Sequence, residues 1–257
     1  MEYLLICLVA LIASGLTFLS GFGLGTILLP AFALFFPIDM AIAMTALVHF
    51  INNLFKMGLV GKFIDKSVAL KFGLPAFFTS FLGATILVWL TGLQPVLTYT
   101  ALGAEHQIMP IKLVVAILML VFGFLEILPR FSAISFQPKF LFLGGALSGF
   151  FGGISGHQGA LRSAFLVKLG LSKEAFIATG VLIACFVDIT RIFVYSSHYT
   201  LDIIRGHFFL LLAAVLSAFL GATIGNRLLK KITMRGIQYI VSIFLIFIAV
   251  ILGLGII

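Results

Sequence analysis

Six stretches of this chain, 39–58, 69–91, 111–128, 173–196, 206–226 and 236–256, are apolar nearly throughout. Each is close to the roughly 20 residues a helix needs to cross the hydrocarbon core of a bilayer. Helix is the form they must take, because lipid offers no partner to backbone N–H and C=O groups. Segments 3–36 and 140–170 are also apolar, but each is too long for one ordinary crossing. Both are interrupted near the middle, by Ser20-Gly21-Phe22-Gly23-Leu24-Gly25 and by Gly152-Gly153-Ile154-Ser155-Gly156-His157-Gln158-Gly159. Each predicts two short helices joined by an unwound turn. The expected fold class is an all-α polytopic membrane protein with six full crossings and two broken-helix hairpins.

Composition agrees with burial in lipid. Of 257 residues, 62% are hydrophobic and 9% charged, against about half and a quarter in a soluble domain. A net charge of +8 would suggest nucleic acid in a soluble protein. Here Lys and Arg fall in short gaps between apolar runs, so they report orientation, and no nucleic-acid partner is expected. Gap 59–68 carries Lys62 and Lys66, flanked by Lys56 and Lys71, and gap 227–235 carries Arg227, Lys230, Lys231 and Arg235. Gap 129–139 has Arg130 and Lys139, and 168–173 has Lys168 and Lys173, whereas 92–110 has neither Lys nor Arg and one Glu105. Basic gaps belong on the cytoplasmic side. The assignments agree when each interrupted segment returns to the side it entered from, or crosses twice. Both termini and segment 197–204 (Ser197, His198, Asp202) are then outside, and the chain is a multi-pass protein of the cell (inner) membrane. The start, Met1-Glu2-Tyr3-Leu4-Leu5, lacks the basic opening and cleavage site of a removable signal peptide, so the first apolar run is expected to stay. Cys7 and Cys185 form no ligand-spaced pair.

The chain repeats itself. Phe81-Leu-Gly-Ala-Thr-Ile86 recurs as Phe219-Leu-Gly-Ala-Thr-Ile224, 138 residues on. Upstream, Gly25 pairs with Gly159, Ala41 with Ala175 and Thr45 with Thr179, 134 residues apart, which implies a short insertion near 190–205. One half is therefore duplicated: 1–128 is the first repeat, 129–139 a cytoplasmic linker and 140–257 the second repeat, within one integrated membrane domain. The equivalent gaps 59–68 and 197–204 fall on opposite sides, so the halves are expected to be inverted. Inverted repeats with broken helices are an architecture of secondary transporters, with the site near the midplane between halves.

Unwound backbone at a helix start offers free N–H groups and a positive dipole end, which together bind anions. The candidate amide donors are Gly21, Phe22, Gly23 and Gly25 in the first copy and Ser155, Gly156, His157, Gln158 and Gly159 in the second. The competing reading is close helix packing, since Gly21/Gly25, Gly152/Gly156 and Gly221/Gly225 all have small-residue contact spacing. Packing is preferred for Gly221/Gly225. Ligand binding is preferred for the two turns, where Ser155, His157 and Gln158 add nothing to packing.

Within the spans, His49, Asn52, Asn53 and Lys56 follow i, i+3, i+4, i+7 and share a helix face, which Thr45 extends. Asp188, Arg191 and Tyr195 form a similar stripe; with one residue of slippage Asn53 and Lys56 match Asp188 and Arg191. Charges at membrane depth face a cavity or a partner. Asp188 and Arg191 either neutralise each other at i, i+3 or leave Arg191 to the substrate. Lys56 either lines the route with Asn52 and Asn53 or snorkels from its helix end. Arg162, one turn past the second break, has no carboxylate near it in sequence and is a candidate anion ligand. Asp188 and His157 are candidates to carry a coupling proton. Glu126 and His207 sit near span ends as interface residues, with a weaker case as proton relays.

At these residues the chain resembles the sulfite exporter TauE/SafE family of bacterial membrane transporters. The resemblance covers nearly the whole chain. It rests on the glycine-rich first break followed by Ile27-Leu-Leu-Pro30, on Asn53-Leu-Phe-Lys56, on Arg162-Ser-Ala-Phe-Leu166, on Gly170-Leu-Ser-Lys-Glu-Ala-Phe-Ile-Ala-Thr-Gly180 and on Asp188-Ile-Thr-Arg191. It implies transport of sulfite, an organosulfonate or a related sulfur oxyanion. The first break has Leu24 and Thr26 where a longer glycine run is common in the family, and the second reads Ser155-Gly-His-Gln-Gly159, so the substrate stays open. Two helix starts and Arg162 supply donors enough, so neither metal nor cofactor is expected. The expected partners are a small anion and the lipid bilayer, and a homo-oligomer is compatible with the sequence.

Two other classes compete. Gly153-Ile-Ser-Gly156 matches the Gly-x-Ser-Gly signature of rhomboid intramembrane proteases, with Ser155 as nucleophile and His49-x-x-x-Asn53 on the oxyanion side. Such a serine needs a histidine base within reach, and His207, the one on a later span, lies at a span end. A non-transporting scaffold is the third reading. No phosphate-binding Gly-x4-Gly-Lys-Ser/Thr, His-Glu-x-x-His or Cys-x-x-Cys occurs, which argues against an ATP-driven pump and an enzyme of those classes.

Overall fold

A computed structural model of the chain describes residues 1–20, 24–101, 103–127, 136–197, 204–228 and 234–257. The first half begins with the broken pair α1 (Glu2–Ser20) and α2 (Leu24–Ala33). There follow α3 (Ile38–Val60), α4 (Lys66–Thr91), a hairpin of β1 (Leu97–Ala101) and β2 (Ala104–Ile108), and α5 (Pro110–Ile127). The second half repeats the helical order: a broken pair, α6 (Leu141–Ser155) and α7 (Gly159–Leu166), then α8 (Lys173–Ser196), α9 (Phe208–Leu228) and α10 (Met234–Gly253). By length and composition α3, α4, α8 and α9 suffice to cross a membrane. At 1.5 Å per residue, α5 and α10 reach about 27–30 Å. The antiparallel hairpin, pairing Leu97 with Ile108 and Ala101 with Ala104, is the one element in gap 92–110 that the apolar pattern does not announce.

Apolar side chains cover the outside as well as the core. On α4, Leu70, Leu74, Phe78 and Leu82 are exposed at four-residue steps; on α9, Leu212, Leu216, Leu220 and Ile224 are. A helix apolar on every face belongs in lipid.

Glycine sets how the halves meet. Gly145, Gly149 and Gly153 form a stripe on α6, against the backbone of Phe72, Ala76 and Ser80 on α4. Across the molecule α9 lies along α1, where Gly221 and Gly225 face the backbone of Leu11 and Gly15. The duplicated hexapeptide thus does one job twice. Gly83 abuts Phe150 and Ile154 of the second broken pair, and Gly221 abuts the first. Without side chains in the way the backbones approach closely, which is what holds helices together where water cannot drive them.

Loops group at two ends. The Tyr99 hydroxyl donates to the Leu254 carbonyl at 2.6 Å, and the Phe36 and His207 rings meet edge to face at 5.0 Å. At the opposite end Asp65 N–H donates to Thr179 Oγ1 at 2.9 Å, and Phe136 N–H to the Ala164 carbonyl at 3.1 Å. Lys62, Lys66, Lys139, Lys168 and Lys173 are all exposed. Asp65 also caps α4, its carboxylate accepting from Val68 N–H at 2.9 Å. Asp65→Ala leaves that amide unpaired and is expected to cost about 1 kcal/mol. In a thermal melt of purified protein, Tm falls by about 2–4 °C.

Candidate functional site

Gly25, at the start of α2, meets the second break inside the molecule. A side chain added at Gly25 would touch Thr45, His49 and the carbonyl of Gly156. Gly156 ends α6 in a left-handed turn, φ 78°, which favours glycine. Its own neighbour is the guanidinium of Arg191, placed where any Cβ would sit.

Beside this junction lies a small cavity of about 20 Å³. It is lined by Thr17 and Phe18 of α1, Leu24 of α2, His49, Asn53 and Lys56 of α3, Arg162 of α7 and one face of α8 that includes Phe176, Gly180 and Ala184. Every polar residue in the lining is buried. Lys56 from the first half and Arg162 from the second share the space, and among the described residues no carboxylate lines it. The Lys56 ammonium sits 5.6 Å from the centre of the Phe18 ring. Arg162 lies against Gly180, where a methyl would come within 3.2 Å of Nε. A volume of this size holds about one water, so a guest with several oxygens requires the walls to part.

Behind the cavity wall, Asp188 joins the halves. Its Oδ1 accepts from Arg191 Nε at 3.0 Å, with Nη2 at 2.9 Å. Its Oδ2 lies 2.6 Å from His49 Nδ1 and accepts from Asn53 Nδ2 at 3.3 Å. The i, i+3 pairing of Asp188 with Arg191 is therefore made, and Arg191 does not line the cavity. Among the described residues, Asp188 is the only buried carboxylate, against buried Lys56, Arg162 and Arg191. The buried cluster carries two more positive groups than negative ones. An excess of buried cationic side chains over carboxylates favours an anionic guest.

The residues nominated from sequence separate into three groups. Asn53, Lys56 and Arg162 line the cavity. Gly21, Phe22 and Gly23 lie outside the described residues. The others face elsewhere. Asn52 Oδ1 accepts from Ser14 Oγ of α1 at 3.1 Å. The Ser155 hydroxyl donates to the Phe151 carbonyl at 3.1 Å. His157 Nδ1 is 3.1 Å from both the Ser155 carbonyl and its hydroxyl, with the ring stacked on Phe122 at 5.9 Å. Gln158 packs against Gly152, and Gly159 opens α7.

Two expectations need correction. The amides of Gly156 and Gln158 are not free donors: Gly156 N–H bonds the Gly152 carbonyl at 2.8 Å and Gln158 N–H the Gly156 carbonyl at 3.0 Å. A tight turn satisfies its own backbone when it closes on the preceding helix. Ser155, His157 and Gln158 also make packing contacts, with Phe151, Phe122 and Gly152, although His157 Nε2 and the Gln158 amide group have no hydrogen-bond partner among the described residues. His49 was legible as part of the polar face of α3, but sequence nominated only its neighbours for the site. Thr17, Phe18 and the apolar wall of α8 carried no signal, since only the third dimension turns them to one point.

A helical bundle with an apolar exterior, and a buried cavity holding two cations where its two halves meet, defines a polytopic membrane protein with an internal polar site. Compared with known families, residues 6–252 match the sulfite exporter TauE/SafE family, and the chain belongs to it. That is a family of membrane transporters and not of enzymes, so the protease reading has no support. His207, its expected base, packs on Phe36. Neither the curated proteins nor the solved structures give a match.

Proposed function

We propose that this chain moves a small sulfur oxyanion, sulfite or an organosulfonate, across the inner membrane by alternating access, with Lys56 and Arg162 as its principal ligands. The observation that carries this reading is the shared cavity: two buried cations, one from each half, with no lining carboxylate among the described residues. The guanidinium fork matches two oxygens of an oxyanion, and the lysine adds a point charge. Asn53 and Thr17 supply neutral polar contacts beside them. The reciprocal seating of α4 on α6 and α9 on α1 supports two halves that rock against each other about a common site, as inverted repeats do. The exposed lysines of gaps 59–68 and 168–173 favour that end as cytoplasmic, which puts both termini outside.

The test is uptake by proteoliposomes of radiolabelled sulfite, thiosulfate, sulfate, sulfoacetate and hydroxyethanesulfonate, with protein-free vesicles subtracted. Saturable movement of sulfite or a sulfonate, with competition among them, is the expected result. Movement of none of the five would end the proposal.

A further inference from the structure

We infer that the His49–Asp188 pair is a proton-binding site that loads together with the anion, so that transport of the guest carries a proton with it. This rests on the anion site proposed above and names its coupling. His49 touches both systems at once: its ring lines the cavity that holds Lys56 and Arg162, and its Nδ1 lies 2.6 Å from Asp188 Oδ2 across the boundary between halves. A nitrogen and a carboxylate oxygen at that distance need a hydrogen between them, and with Asp188 ionised against Arg191 it is Nδ1 that carries it and donates. Nε2 is then the ring position free to gain or lose a proton. Asn53 Nδ2 is equally far, 3.3 Å, from both ring nitrogens, and its better acceptor is the charged Oδ2 of Asp188 at the same distance.

The charges around the ring decide the sign of the coupling. Facing it are Lys56 on the same helix, Arg162 on α7, and Asp188 and Arg191 on α8, with Cys185 one turn before Asp188. On the far side of Arg191, His157 is held by Ser155 and Phe122. Helix α2 brings no ionisable side chain, and from α1 come only Ser14 and Thr17. An empty site already has excess positive charge, which opposes a second proton on His49. A bound anion removes that opposition, so the proton and the anion each favour the other's binding by the same factor. When the anion leaves, the proton leaves with it. No bond other than Nε2–H forms or breaks. Asp188 keeps the charged ring from drifting into the cavity, and its link between halves lets the protonation state bear on how they sit together.

The experiment uses the purified full chain in vesicles with an internal pH dye, potential clamped, and sulfite in alkaline buffer, where sulfite is a bare dianion. Wild type is expected to move protons with sulfite, and a one-unit pH gradient drives accumulation by up to about tenfold for one proton per anion. His49→Gln keeps a hydrogen-bonding side chain that cannot titrate. Its sulfite exchange, whatever its size, is expected to be independent of pH and to move no protons. Asp188→Asn, a second variant, is expected to weaken the pH dependence by loosening the ring. Sulfite moving through wild type without protons overturns the inference and leaves the anion site standing. Protons still moving with sulfite through folded His49→Gln overturn it as well. Wild type that moves no sulfite overturns both readings. If neither variant folds, the wild-type proton measurement decides alone.

Discussion

Arg162→Ala is expected to lower the initial rate of anion uptake by about ten- to a hundredfold, and Lys56→Met by a similar factor. A hydrogen bond to a charged group is worth about 1.5–3 kcal/mol, and each 1.4 kcal/mol is a factor of ten. The two sites are 106 residues apart in sequence yet line one cavity, so the losses come from one binding event and will not simply multiply. Arg162→Lys keeps the charge without the fork and is expected to fall between wild type and Arg162→Ala. The melting temperature separates a ligand role from a structural one. Lys56 makes no ion pair among the described residues, and it is buried. Replacing it by methionine removes a buried charge while keeping an apolar stem of similar length, so Tm is expected to hold or rise while uptake falls. A Tm that dropped in step with uptake would mark Lys56 as a structural residue.

The second large effect belongs to the helix crossings. A methyl at Gly83 would collide with the Phe150 carbonyl, and one at Gly221 with the Leu11 carbonyl. Backbone cannot swing aside as the end of a side chain can, so the helices must separate. Overpacking of this kind costs about 1–3 kcal/mol and occasionally more. Gly83→Ala and Gly221→Ala should each lower Tm and the yield of monodisperse protein in detergent. Gly58→Ala is the control, since nothing lies within 4 Å of the added atom. It lies in the last turn of α3, so it should leave Tm unchanged or raise it slightly, by at most about 0.5 kcal/mol. Equal behaviour of all three variants would show that the close crossings contribute little. The same glycines bear on function, because α6 leads directly into the second break and α1 into the first.

Much of this architecture could be read from residues alone. The apolar runs predicted α3, α4, α5, α8, α9 and α10, and the interruptions at 20–25 and 152–159 predicted that the remaining two segments would break. These features are local or nearly so. Lipid imposes helix on any long apolar run, and a glycine-rich polar stretch ends a helix whatever packs around it. Arg162 stood out for the same reason, as a charge at membrane depth with no carboxylate near it in sequence. The duplicated hexapeptide was visible as a repeat, and even its packing role was readable for Gly221 and Gly225.

Tertiary structure decided the rest. Periodicity put His49, Asn52, Asn53 and Lys56 on one face, but a face is wide: Asn52 turns to Ser14, while the other three turn to the cavity. Which of these happens depends on how α3 is rotated between α1 and α8, and that rotation is fixed by crossings elsewhere. Asp188 was paired in sequence with Arg191, three residues on, and only packing revealed His49, 139 residues away, on its other oxygen. The break amides were expected to be free because unwound backbone is usually short of partners. The αL turn at Gly156 instead closes on the carbonyl of Gly152, a choice made by geometry within the turn. The sequence by itself determined that there would be helices in lipid, two breaks and buried cations, because propensity, hydropathy and the cost of burying charge act on each segment separately. Only the folded chain determined which cations share a cavity and which acid faces which base, because those depend on the relative rotation and depth of helices, and no single segment carries that information.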